Sequence, residues 1–158
     1  MGPGSGLEYR IHTNLFAVLR LSFGRTVSAL VSYLGTLGNN ALFGSYPTDN
    51  CAAQFGTGTV RNPQDQLPNY LTHNSVTELV APYINSTNIA QQNGKPFVMF
   101  ETNTASCGGF GGISDAFVAA LWSTDYALQM AYANFSMALF HTGGINVYYN
   151  VCSRLIRR

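Results

Sequence analysis

The sequence predicts an α/β fold with parallel strands in the order βαβαβ. Three observations predict it. Phe97, Val98, Met99 and Phe100 form an unbroken apolar run behind a Gly94-Lys95-Pro96 turn, and a run without polar alternation suits a strand covered on both faces. Phe117, Leu121, Leu128, Ala131 and Phe135 recur near helical spacing, which predicts a helix over residues 115–136. Ser75 followed by Glu78 has the pattern of a capping box, so another helix starts upstream of the central strand.

In chain order, residues 1–40 stand apart. MGPGSG is a flexible start with no basic n-region, and the largely apolar stretch 15–37 is interrupted by Arg20 and Arg25. A membrane span needs about 20 predominantly apolar residues, and a signal peptide needs positive charge before a shorter apolar core. Neither is clean here. The plain expectation is an amphipathic helix over residues 14–34 with Thr13 or Asn14 as cap; the other is a gene-model artefact foreign to the fold.

Ala41, Leu42 and Phe43, leading into Ser45-Tyr46-Pro47, predict a short strand over 41–46. Residues 50–71, with Gly56, Gly58, Pro63 and Pro68, read as a long polar loop of the functional or disordered kind. The helix begun at Ser75 is kinked or restarted at Pro82 and stops at Asn93-Gly94. The central strand over 97–101 ends in Glu101. A glycine loop follows, with Ser114 or Asp115 as cap of the long helix. Ala138, Leu139 and Phe140, then Ile145, Val147 and Tyr149, predict a last strand within 138–149, interrupted at Gly143-Gly144. Arg154, Arg157 and Arg158 make residues 153–158 a basic tail.

A chain of 158 residues can bury one real core. Net charge +1 with 9% charged residues argues against a disordered chain and against a nucleic-acid partner. Three cysteines leave at least one unpaired within the chain. Cys51 and Cys107 both follow expected strand ends and are candidates for a bridge, although spacing alone does not fix connectivity. Asn85-Ser86-Thr87 and Asn134-Phe135-Ser136 are glycan acceptors in a secreted protein, and the second falls within the expected helix. The cysteines and three histidines have no metal-ligand spacing, so neither metal nor cofactor is expected.

Glu101 is the first candidate for chemistry. A carboxylate directly on an apolar strand is rarely there for packing, because burying it unpaired is costly. Gly108, Gly109, Gly111 and Gly112 let backbone amides approach a ligand closely. An acid at a strand end beside amides at a helix N-terminus has the layout of an α/β active site. From the residues alone, an exposed acid in an ion pair is the plainer alternative. The glycine loop lacks the Gly-Lys-Ser/Thr ending of a phosphate cradle. Cys107 with His141 or His73 as a thiol nucleophile pair rests on residue presence alone, and a structural cysteine is plainer.

FVMFETNTASCGGFGGISDAFVAALWSTDYALQMAYANFSMALFHTGGINVYYN resembles glycoside hydrolase family 79, the fungal β-glucuronidase and heparanase-like enzymes. The resemblance reaches upstream through SYPTDNC and LPNYLTHNSVTELVAPYI, covering roughly residues 45–150. It implies a partial (β/α)8 TIM barrel, with about the last three βα units in residues 41–152. It also implies a retaining hydrolase that acts on terminal β-glucuronosyl residues of a glycan and is secreted. Glu101 matches the family's nucleophile and Tyr46 the tyrosine beside it, where the histidine usually just before is replaced by Gly44 and Ser45. Cys107, Gly108, Gly109 and Tyr148 match the groups that read the uronic acid's carboxylate. The family's acid/base comes from an earlier strand. Glu8, Glu78, Asp49, Asp65, Asp115 and Asp125 do not replace it, so the remaining strands are expected from a longer gene product. The alternative is a non-catalytic barrel remnant with open sheet edges and weak or no sugar binding.

Overall fold

The computed structural model describes residues 41–142 and 147–149. The expected leader helix, the Gly143-Gly144 interruption, Ile145, Cys152 and the basic tail lie outside the described residues. Three strands, β1 (Ala41–Gly44), β2 (Phe97–Thr102) and β3 (Met137–Phe140), form a sheet in the order β1-β2-β3. Both pairings are parallel, so the carboxyl ends of all three strands lie on one edge. Between β1 and β2 run α1 (Cys51–Phe55), α2 (Pro63–Gln66), a 3-10 turn over Leu67–Tyr70, α3 (His73–Val80), a 3-10 turn over Ala81–Tyr83 and α4 (Ile84–Gln92). A single helix, α5 (Phe117–Tyr132), crosses from β2 to β3.

The core is built where α3 and α5 meet the sheet. Val76 and Val80 of α3 and Trp122, Tyr126 and Met130 of α5 are buried in one cluster with Phe97 and Met99 of β2. Trp122 stacks on Tyr126 at 5.0 Å between ring centroids and meets Tyr70 edge-on at 5.9 Å. Each such side chain, fully buried, contributes about 1.5–3 kcal/mol relative to an exposed one. Pro82 ends α3 as expected, because its ring cannot continue the helical ladder, and the chain restarts as α4. Gly94, at φ +62°, turns it into β2.

Several expectations need correction. Residues 50–71 are not one irregular loop but carry α1, α2 and a 3-10 turn. The Asn62 side chain caps α2 by accepting from the Gln64 amide, with Pro63 in the first turn. Ser75 and Glu78 form no capping box. The helix starts two residues earlier, at His73, with Thr72 extended before it and sharing a hydroxyl hydrogen bond with Ser75 at 2.8 Å. The long helix is shorter than 115–136, and Asn134 lies past its end at φ +64° rather than inside it.

The phase of α5 also differs. Phe117 is 67% exposed and Leu128 59%, with Leu121 also outside, while Ala119, Trp122, Ser123, Tyr126 and Met130 face inward. The helix is apolar on both sides, so spacing predicts a helix without choosing its buried face. Among the described residues, strand geometry ends at Gly44 and Phe140, short of the expected ends at residues 46 and 149.

Candidate active site

The site starts from an irregularity in β2. Register shifts between Phe43 and Gly44 on one side, and between Met99 and Thr102 on the other. Along β2, Phe97, Val98 and Met99 are buried, Phe100 and Glu101 exposed, and Thr102 buried again. The expectation that Phe100 shares the two-sided burial of its neighbours therefore fails; it is 42% exposed. A bulge re-aims a side chain out of strict alternation. Here it turns the Glu101 carboxylate outward, 54% exposed, at the carboxyl end of the central strand.

Two backbone hydrogen bonds carry the ladder one residue past the outer strands. The Ser45 amide donates to the Glu101 carbonyl at 3.0 Å, and the His141 amide to the Thr102 carbonyl at 2.8 Å. They bring Tyr46 and His141 to Glu101 from opposite sides. The Tyr46 hydroxyl donates to Glu101 Oε1 at 2.8 Å and lies 3.1 Å from His141 Nδ1. His141 Nδ1 is 3.9 Å from Glu101 Oε1, too far for a direct hydrogen bond. Tyr149 backs the group, its ring 4.8 Å from that of His141 and 6.5 Å from that of Tyr46. Burial, and then the hydrogen bond to Glu101, push the Tyr46 phenol well above its ordinary pKa, so it stays a donor.

The glycine loop lies at the same edge of the sheet. Cys107 and Cys51 are joined by a disulfide, which takes the Cys107 thiol out of any nucleophile pair with His141 or His73. The Asn50 amide donates to the Ser106 carbonyl and the Ser106 amide to the Thr48 carbonyl, so the chain segments after β1 and β2 remain paired here. Asn50 Nδ2 donates to the Gly109 carbonyl at 2.8 Å. Gly109 is at φ +79°, and a Cβ there would lie 2.6 Å from Ser114 Oγ. Neither expected cap residue caps α5. Ser114 Oγ accepts from the Phe110 amide and bonds Thr104, and Asp115 accepts from the Gly112 amide at 2.6 Å. Ala116 stands at the helix start without a side-chain cap. Both polar residues fold the loop, and the glycine amides precede the helix rather than opening it.

The loop amides differ in what they meet. Gly108 N–H donates to the Tyr149 hydroxyl at 3.2 Å, and that hydroxyl donates to the Ala105 carbonyl at 2.7 Å. The Cys107 and Gly109 amides have no hydrogen-bond partner among the described residues. The Tyr148 amide donates to the Gly108 carbonyl at 2.7 Å, and its half-exposed ring rests over Gly111. Its hydroxyl makes no hydrogen bond among the described residues.

The structure thus brings Tyr46 to Glu101 and places Cys107, Gly108, Gly109 and Tyr148 together in a second group joined to the first through Tyr149. Sequence reasoning weighed His141 only as a partner of Cys107 and Tyr149 only as part of the last strand, and placed neither beside Glu101. A signal for His141 was present: Met137-Ala138-Leu139-Phe140 ends in a titratable residue just as Phe97-Val98-Met99-Phe100 does. Three of the aspartates it weighed have other partners: Asp115 accepts from the Gly112 amide as above, while Asp65 is exposed on α2. Asp49 pairs with Arg61 at 3.3 Å and accepts from the Cys51 amide, and Asp125 meets His73 at 2.9 Å. Among the described residues no three His, Cys, Asp or Glu side chains converge as a metal site would require, and no helix is long and apolar enough to cross a membrane.

No protein-family model matches the chain. A β-glucuronidase from Aspergillus niger is 33% identical over 91 residues, a match covering 54% of this chain and 17% of that enzyme. The crystal structure of a 4-O-α-L-rhamnosyl-β-D-glucuronidase from Fusarium oxysporum 12S, in its Rha-GlcA complex, superposes with a TM-score of 0.58 and 27% identity. That superposition covers 78% of this chain and 24% of the other. The chain spans about a sixth of the curated relative and about a quarter of the solved one. In sequence and in fold, it is similar to part of two β-glucuronidases.

Proposed function

We propose that this chain carries the nucleophile half of a retaining β-glucuronidase-type site, on the last βα units of a (β/α)8 barrel over residues 41–152. One observation carries the proposal. Glu101 stands exposed at the carboxyl end of the central parallel strand with Oε1 held by the Tyr46 hydroxyl, and Oε2 has no hydrogen-bond partner among the described residues. In the first step an oxygen of Glu101 bonds the anomeric carbon as the bond to the leaving oxygen breaks. A second carboxyl protonates that oxygen and afterwards activates the water that releases the sugar. That partner belongs about 5–5.5 Å from the nucleophile. Asp49, Asp115 and Asp125 are engaged elsewhere, and Asp65 and Glu78 are exposed on α2 and α3 rather than at a strand end, so the acid/base is assigned outside the described residues.

The substrate is a glycan ending in a β-glucuronosyl residue. Its carboxylate would take the Cys107 and Gly109 amides and the Tyr148 hydroxyl, which are free of protein partners among the described residues. The Cys51–Cys107 disulfide supports a secreted protein, since such bonds persist in oxidising compartments.

The test is intact-mass spectrometry after incubation with 2-deoxy-2-fluoro-β-D-glucuronyl fluoride. Fluoride leaves without a proton, so the step needs no acid, and the 2-fluoro group slows release of the sugar. One adduct on the wild-type chain and none on Glu101→Gln is the expected result. An adduct that survives in Glu101→Gln refutes the nucleophile. No adduct on either chain favours a non-catalytic barrel remnant.

A further inference from the structure

We propose that His141 is a positioning residue for Glu101. It donates its Nδ1–H to the Tyr46 oxygen and thereby holds the Tyr46 proton on the carboxylate. The proposal rests on the assignment of Glu101 as nucleophile for its consequence, but not for its geometry.

The geometry is a matter of counting protons. A phenol has one O–H and can donate one hydrogen bond at a time. Tyr46 lies 2.8 Å from Glu101 Oε1 and 3.1 Å from His141 Nδ1. An ionised carboxylate has no proton to offer, so the shorter contact needs the phenol proton and is the charge-assisted one. The Tyr46 oxygen can then meet Nδ1 only as an acceptor, so Nδ1 must carry a proton. The neutral ring is therefore the Nδ1–H tautomer, with its lone pair on Nε2. That is the opposite of the form free histidine prefers. Protonation of the ring at Nε2 leaves the same chain of donors intact and adds a positive charge beside Glu101.

The surroundings hold the ring in this pose. The Asn103 side chain donates to the His141 carbonyl at 2.6 Å, the His141 amide is paired to Thr102, and the Tyr149 ring packs against the imidazole. The titratable groups facing His141 from the packed elements are Tyr46 after β1, Glu101 on β2 and Tyr149 in the 147–149 segment. His141 does not touch Glu101 by a hydrogen bond; it acts through Tyr46. Without it, the phenol O–H can rotate off Oε1, and the carboxylate loses its fixed orientation toward an anomeric carbon.

Two readouts test this on the intact chain. Long-range proton–nitrogen correlation spectra of uniformly labelled protein, at a pH where the ring is neutral, report the tautomer; His141 is assigned by the signals lost in His141→Asn. The expected result is Nδ1–H in the wild type, reverting to Nε2–H in Tyr46→Phe, which lacks the accepting oxygen. Nε2–H in the wild type, or no change in Tyr46→Phe, overturns the proposal whether or not the chain is a glycosidase.

The second readout is the rate of labelling by the fluoro-glucuronyl fluoride. His141→Ala should slow it roughly five- to tenfold, the effect of one neutral hydrogen bond. His141→Asn, whose side-chain amide sits where Nδ1 sits, should restore most of the rate, while His141→Gln should not. Equal rates in all four chains refute the positioning role. If Nδ1–H is found but nothing labels, the geometric proposal stands and the hydrolase assignment falls.

Discussion

Removing the Cys51–Cys107 bridge should destabilise the chain by several kcal/mol. The variant is Cys51→Ser with Cys107→Ser in a Cys152→Ser background, which excludes exchange with the third cysteine. The bridged residues are 56 positions apart. In the chain-entropy model a loop of that length restricts the unfolded ensemble by about 4 kcal/mol at 25 °C. That is a large share of the roughly 5–15 kcal/mol typical of a whole domain. The effect should fall on the unfolded state. In the folded state the Asn50–Ser106 and Ser106–Thr48 backbone bonds and the Asn50–Gly109 contact already hold the two segments together. The assay is urea unfolding of the bridged and unbridged chains. A lower midpoint is expected together with a slightly larger m, because the unbridged unfolded chain is more open. A loss below about 1 kcal/mol would show that the bridge constrains little, contrary to the loop-length argument.

Gly109→Ala must place a Cβ 2.6 Å from Ser114 Oγ at φ +79°, whereas Gly56→Ala pays for a similar φ of +68° with open space around it. Both should destabilise, by about 1–3 kcal/mol for the backbone alone, and Gly109→Ala clearly more; equal losses in denaturation would refute the crowding. Met130→Ala should cost about 2–5 kcal/mol as a core deletion, and Leu128→Ala within about 0.5 kcal/mol; thermal melts showing the reverse order would mean α5 is rotated. Burial holds the Tyr126 phenol above its ordinary 10.0, so at high pH the unfolded chain loses that proton while the folded chain keeps it. Its contribution is therefore full below about pH 10 and falls as pH rises toward the raised value, and Tyr126→Phe should flatten the alkaline decline in urea midpoint. Tyr148→Phe should slow labelling by a glucuronyl fluoride far more than by a glucosyl fluoride, since a hydrogen bond to a charged group is worth about 1.5–3 kcal/mol; equal slowing would make Tyr148 part of the wall only.

Much of the fold was legible because its signals are local. The apolar run from Phe97, the Pro82 restart and the Asn93-Gly94 stop each act within a few residues, and each falls where expected. The phase of α5 was not legible, because Leu121 and Leu128 are as apolar as Trp122 and Met130, and only the sheet beneath decides which row is buried. The short helices after β1 were partly legible: Asn62-Pro63 is a cap followed by a first-turn proline, but glycines and prolines around it read as loop. Ser114 and Asp115 have the composition of caps, yet the glycine loop needs their oxygens for its own amides.

The candidate site shows the same division between local and non-local signals. Glu101 announces itself as a carboxylate ending an apolar run, and His141 ends a similar run forty residues later. That these two residues share one tyrosine depends on strand register, which no window of sequence contains. Parallel neighbours place the ends of such runs on one edge of the sheet, so a titratable residue closing each run is carried toward the others. The bulge then decides the outcome. Regular alternation would put Phe100 on the face of Val98 and Glu101 on the face of Met99, and both Val98 and Met99 are buried. The irregularity between Met99 and Thr102 turns both outward and returns Thr102 to the interior. One extra residue in β2 therefore takes Glu101 off the face it would share with Met99 and presents its carboxylate between Tyr46 and His141.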